Sequence, residues 1–233
     1  MIDFKKLNKK YKLGDTISLK CSIVRPQLTY IDSSIESKIE DMEYNDKYIT
    51  YFFIDIFFSD LDSDTETKIG VLKGCYITPE DYMTDGIFFE VCDAESQELS
   101  VMAESIIGKN WELNEEFVDG SDCIAYISKL FIYEEYRKNG IGSYILNELK
   151  SILEYYSRDV ITKIMLLPEP LILDNENEIA PVSDEDTNKK ELKQNLIEFY
   201  KKNGFDEIND SGYMIKDVCF EEIYNNFISN KES

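Results

Sequence analysis

The sequence predicts one domain of mixed α/β class: a central sheet with antiparallel N-terminal strands, one parallel strand-helix-strand unit, and helices on both faces. Three observations lead there. The chain has 233 residues, enough for one large core and short for two. Two β-like runs, 48–58 and 68–77, flank the stretch SDLDSDTET, whose Asp and Ser side chains bond nearby backbone and favour a turn, so the runs pair antiparallel. Further along, the strand-like run 123–133 is followed by a Gly-containing loop, then by Ile141, Ile145, Leu149, Ile152 and Tyr156 on one helical face, then by the apolar run 160–167. Strand, helix and strand in that order imply a parallel pair joined by a right-handed crossover.

The remaining elements come in chain order. From Asp15 to Ile31 apolar and polar residues alternate through Ile17, Leu19, Cys21 and Ile23, the pattern of a half-buried strand, until Pro26 interrupts it. Residues 32–47 carry Ile35, Ile39 and Met42 at near-helical spacing among Ser, Asp and Glu; a short helix and an ordered loop both fit. Over 85–107, Phe88, Cys92, Leu99, Met102 and Ile106 recur at three, four or their sums, and Gly108 stands where a helix would stop, so one inserted amphipathic helix is predicted. Residues 168–189 are rich in Pro, Asp and Glu and read as a long acidic surface loop. Leu192, Leu196, Phe199 and Tyr200 mark a last helix closed by Gly204, and two short β-like pieces, 205–208 and 212–215, come after it. The whole is expected as one domain over 1–233, with 1–47 as an N-terminal strand and extension.

Composition narrows the function classes. Hydrophobic residues at 43% and aromatics at 13% separate the chain from disordered sequences despite its charge. The net charge of -22 repels phosphate backbones and anionic membranes, so no nucleic acid or membrane partner is expected, and cationic partners are favoured. Five Cys are widely spaced without a C-x-x-C pair and there is no His, which argues against a metal site and for buried reduced thiols in a reducing compartment. The stretch MIDFKKLNKKYKLGD lacks the apolar run of a secretion signal, and a cytoplasmic location is expected.

Chemistry concentrates in LFIYEEYRKNGIGSYIL, residues 130–146, which joins a strand to a helix. At a helix start the first N–H groups have no carbonyl a turn earlier, and the helix dipole adds positive potential, so anions collect there. Gly140 and Gly142 lack the Cβ atoms that would keep a pyrophosphate from the backbone, while Arg137 and Lys138 add positive charge in an acidic protein. Neither the P-loop pattern nor a full G-x-G-x-x-G is present, and antiparallel strands early in the chain speak against a Rossmann fold.

With Arg137, Gly140 and Gly142 at their spacing, the preceding LFI, and the later LIEFYKKNGF, the chain resembles the GNAT superfamily of N-acetyltransferases over residues 122–216. The resemblance implies a splayed central sheet and acetyl-CoA as acyl donor, held by Leu130, Phe131 and Ile132 along the arm and by Arg137, Lys138, Asn139, Gly140, Ile141, Gly142 and Ser143 at the pyrophosphate. It also implies that Tyr200 protonates the departing thiolate. The acceptor is expected to be a primary amine of a small molecule or protein; a non-catalytic acyl-CoA-binding or interaction module is the alternative. Relatives often place a glutamate on the strand before the loop, where this chain has Tyr126 and Ser128, neither a base near neutral pH. Glu90, Asp93 and Glu169 are the carboxylates considered for that role.

Overall fold

Period-two burial builds the sheet, and two interruptions of that period shape it. The computed structural model describes residues 15–24, 48–60, 65–77, 85–108, 113–118, 122–157, 160–174 and 178–219. Strands β1 (Asp15–Val24), β2 (Ile49–Asp60), β3 (Thr65–Ile77) and β4 (Ile124–Ile132) form an antiparallel meander. Then β4 pairs in parallel with β5 (Lys163–Leu166), and β5 pairs antiparallel with β9 (Met214–Asp217), which pairs with β8 (Asp206–Glu207). The resulting seven-stranded sheet, in the order β1-β2-β3-β4-β5-β9-β8, has the single parallel junction that the sequence predicts.

Two apolar layers cover the sheet. Phe52, Ile54 and Ile56 of β2 point to one side with Leu72 and Tyr76 of β3 and Ala125 and Ile127 of β4; Ile49, Cys75, Ile77, Ile124 and Tyr126 belong to the other. On the first side lie α3 (Ile141–Ser157), through Ile145, Leu149 and Leu153, and α4 (Lys189–Lys202), through Tyr200. On the second side lie α1 (Asp85–Glu95) and α2 (Gln97–Ile106), which bury Phe88, Cys92, Met102 and Ile106. Burial pushes the Cys92 thiol up to about 12, with the Glu95 charge adding to the effect, so this sulfur stays a neutral packing group.

The interruptions are β-bulges, one at Ile69, where Ile56 pairs with Gly70 and Phe57 with Lys68, and one at Ser128. In the β3–β4 ladder Lys73 pairs with Lys129 and Gly74 with Ile127, so Ser128 is the extra residue and its hydroxyl donates to the Lys73 carbonyl at 3.3 Å. One inserted residue reverses the faces of all later positions in the strand. Before it Ala125 and Ile127 face α3 and α4; after it Leu130 and Ile132 do. The strands press together at this point: a Cβ on Gly74 would lie 2.0 Å from the Tyr126 carbonyl oxygen and 2.6 Å from Phe52 Cζ.

Several predicted boundaries differ. The inserted helix is two helices, because Ser96 takes an extended conformation and its Oγ accepts the Leu99 N–H at 3.2 Å, starting a new helix inside the periodic pattern. The acidic loop contains a small hairpin, β6 (Leu171–Leu173) with β7 (Ile179–Pro181), and buries Val182. Lys129 Nζ donates to the Ile179 carbonyl at 2.7 Å and ties this hairpin to the outer half of β4. The expectations for 25–47, including the end of the first strand, lie outside the described residues. Among the described residues no helix is long and apolar enough to cross a membrane.

Replacing Gly74 with Ala is expected to lower stability by about 1–3 kcal/mol or more, as overpacking against backbone does, measured as a shift of the urea midpoint at constant slope. An unchanged midpoint would mean that β3 and β4 do not meet closely beside the bulge.

Candidate active site

Beyond Ile127 the β4 strand loses its partner. Parallel pairing with β5 ends at Ile127 and Leu166, and the chain after β5 turns away through Leu167 and the buried Pro168, which has no N–H to continue a ladder. Tyr133 N–H donates to the Ile69 carbonyl of β3 at 2.9 Å. Backbone groups alternate in direction along a strand, so Tyr133 and Phe131 address β3, while Leu130 and Ile132 address the side that β5 has left. That side is the cleft of a splayed sheet.

The turn after β4 is locked from within. A single 3-10 turn (Glu134–Tyr136) is closed by the Arg137 N–H on the Glu134 carbonyl at 3.1 Å, and the Tyr136 ring sits 6.3 Å from that of Phe58. Arg137 Nε donates to the Ile132 carbonyl at 2.7 Å, and its guanidinium lies 5.0 Å from the Phe131 ring centre. Arg137, expected at the pyrophosphate, thus also braces the end of β4. Lys138 and Gly140 take positive φ, 62° and 80°, and Asn139 Nδ2 donates to the Tyr136 carbonyl at 3.3 Å. Glycine meets that backbone requirement at position 140 without strain.

The first hydrogen bond of α3 runs from Tyr144 N–H to the Gly140 carbonyl at 3.0 Å. The N–H groups of Ile141, Gly142 and Ser143 therefore stand ahead of the helical ladder, with exposed Lys138 beside them. Gly142 has a further reason to be small that the sequence reading missed: a Cβ there would lie 3.1 Å from Phe199 Cζ on α4. Its bare backbone lets the two helices approach.

Phe199 leads directly to Tyr200, and the end of α4 fixes that residue. Phe205 N–H donates to the Tyr200 carbonyl at 3.1 Å and Gly204 N–H to the Lys201 carbonyl at 3.1 Å, with Gly204 at φ 85°, which together make a Schellman motif. The apolar contact that accompanies the motif is here the edge-to-face pair of Tyr200 and Phe205, 5.6 Å apart, and Phe199 packs on the other side at 5.1 Å. The Gly-Phe signature is the helix stop that holds the tyrosine. Burial raises the Tyr200 phenol pKa above its ordinary value, so it is a proton-bearing donor throughout the neutral range.

The three carboxylates considered as bases are placed elsewhere or engaged. Glu90 is exposed on α1, Asp93 accepts the Ser100 hydroxyl at 2.7 Å, and Glu169 is ion-paired with Lys189 at 2.7 Å. Two carboxylates that were not singled out stand against the sheet instead. Tyr126 donates its hydroxyl to Glu98 at 2.9 Å, and Tyr51 donates to Glu95. Their spacing across the α1–α2 break was the available signal, but a break inside a continuous apolar period leaves no trace in that period.

Fold and site together define a class: a mixed-sheet domain in which, among the described residues, one parallel junction stops short and the strand beyond it leads through a tight turn into the start of a helix. No protein-family model matches the chain, and no curated protein matches it. Among solved structures it is similar to a chain of the KacTA–DNA complex at 11% identity, covering 91% of this chain and 99% of that one with a TM-score of 0.40. It is also similar to AtaT complexed with acetyl-methionyl-tRNAfMet at 10% identity, covering 90% and 99% with a TM-score of 0.39. A third is NAA60 of Arabidopsis thaliana in complex with a bisubstrate analogue, at 14% identity, covering 85% and 98% with a TM-score of 0.32. The ligands named there belong to those proteins.

The contact between α3 and α4 yields a direct test. Gly142→Val is expected to destabilise the protein by about 1–3 kcal/mol, and Phe199→Leu in the same chain to return part of that loss. Strict additivity in a double-mutant cycle by urea unfolding would contradict the contact.

Proposed function

We propose that this protein is an acetyl-CoA-dependent N-acetyltransferase that moves an acetyl group to a primary amine of a small molecule or protein by direct attack in a ternary complex. The observation that carries the reading is the end of β4–β5 pairing at Ile127, on the strand that runs on into the turn before the unladdered N–H groups of Ile141, Gly142 and Ser143. An extended pantetheine arm matches the first feature, since unpaired strand groups ask for a strand-like partner, and a diphosphate matches the second.

The residues divide the work. Leu130 offers its N–H and carbonyl to the arm, and Ile132 its N–H, its carbonyl being held by Arg137. Lys138 and the start of α3 balance the diphosphate charge. Bound acetyl-CoA supplies the activated acetyl group. Tyr200, buried and protonated, donates to the sulfur as the bond from carbon to sulfur breaks, so that the thiol rather than the thiolate leaves. The acidic surface, with a net charge of -22, favours acceptors that carry positive charge. A cytoplasmic setting remains part of the proposal.

Thermal and denaturant unfolding with acetyl-CoA at a hundred times its dissociation constant is expected to show about 2.7 kcal/mol of added stability; no change would remove the cofactor assignment. Tyr200→Phe is expected to lower the rate of amine-dependent thiol release by on the order of 10²-fold with acetyl-CoA affinity unchanged. Added stability without thiol release from any amine would favour the non-catalytic acyl-CoA-binding alternative.

A further inference from the structure

We propose that Glu98, oriented by the buried hydroxyl of Tyr126, is the carboxylate that takes the proton from the acceptor amine. The assignment rests on the acyl-transfer reading and deepens it. Tyr51, Cys75, Tyr126 and Met165 stand in register on four neighbouring strands, forming one row across the sheet on the side covered by α1 and α2. The row lies one residue before Ile127, the last β4 residue still paired with β5. Tyr126 is therefore at the closed end of the cleft, on the face opposite α3 and its anion site. An acyl donor entering from the α3 side leaves the opposite face for the acceptor.

Over this row the break at Ser96 turns the chain, so that Glu95 ends α1 and Glu98 lies in the first turn of α2, within reach of the two tyrosines. Tyr126 is 2% exposed and Glu98 is exposed. A fixed phenol thus holds a carboxylate whose other lone pairs remain open to an ammonium group and to water. Burial, and after it the charge of Glu98, raises the Tyr126 pKa, which keeps the phenol a donor that cannot itself serve as the base.

Among the described residues the groups close enough to feel the charge of Glu98 include Tyr51 of β2, Cys75 of β3, Tyr126 of β4 and Tyr213 just before β9, and the charges of Glu95 on α1 and Glu104 on α2 act on the same tyrosines. None is a cation, and among the described residues Glu98 forms no ion pair with Lys or Arg. From the described residues the field at this end of the cleft is negative and attracts ammonium groups. Glu98 accepts one proton from R–NH3+, leaving R–NH2 and a neutral carboxyl. The amine nitrogen bonds to the acetyl carbon, the bond to sulfur breaks, the nitrogen passes its second proton to water, and the leaving sulfur departs as the thiol with the proton Tyr200 donates. Both phenol and carboxylate are restored by exchange with water, and the net release is one proton per turnover.

The test measures thiol release from acetyl-CoA with n-butylamine, spermidine and a lysine-containing peptide as acceptors, up to about pH 10, where a primary amine sheds its own proton. Glu98→Gln is expected to lower kcat by on the order of 10²-fold at neutral pH, with the deficit shrinking as pH rises and KM for acetyl-CoA unchanged. Tyr126→Phe should show a smaller loss with the same pH dependence, as befits a positioning residue, and Glu90→Gln should match the wild type. Wild-type rate and pH profile in Glu98→Gln would overturn this assignment alone. A wild-type protein that gains stability with acetyl-CoA yet transfers to none of the amines would overturn the acyl-transfer reading and this assignment with it.

Discussion

The structure depends on one extra residue in one strand. Ser128 adds a position to β4 that β3 does not match, and the β4–β5 pairing stops beside it. A continuous ladder would leave no unpaired backbone between two parallel strands and no entrance from the helix start. The bulge also re-aims the side chains: Tyr126 belongs to the layer under α1 and α2, whereas Leu130 joins the layer under α3. One local insertion thereby assigns the two halves of β4 to opposite layers. Gly74 makes it possible, since any side chain there would strike the Tyr126 carbonyl.

Much of this was legible in the sequence because its carriers are local. β-like runs on either side of a turn-forming Asp/Ser stretch gave β2 and β3, the 3.6-residue stripe gave α3 and α4, and Gly204, at φ 85°, announced the end of α4. The strand-loop-helix order around Arg137, Gly140 and Gly142 gave the turn after β4 and the start of α3. What stayed hidden is non-local. The bulge at Ser128 is defined against β3, the close approach at Gly142 against Phe199 of α4, and the position of Glu98 against Tyr126, 28 residues away. A single-chain pattern holds no record of such partners. Ser96 was readable in principle as a helix start, but it fell inside an apolar stripe that both halves share.

Arg137 shows how a motif can be recognised and only half understood. Its spacing pointed to phosphate, yet the guanidinium is committed in part to the Ile132 carbonyl and the Phe131 face. Those bonds fasten the end of β4 to the turn that leads into α3, so the residue has a structural task besides any role in binding. An Arg at such a place is not interchangeable with Lys, whose point charge offers neither the planar stacking nor the forked donors.

The Schellman end of α4 has a consequence for the order in which the molecule assembles. The bonds that seat Tyr200 come from residues at most five positions ahead, so this turn forms by short-range closure on the timescale of helix growth. The cleft instead needs β3, β4 and β5 brought together across loops of many tens of residues, with a slower search. The Tyr200 ring is thus seated by bonds local to its own helix end, whereas the sheet it packs against is held by pairings distant in sequence.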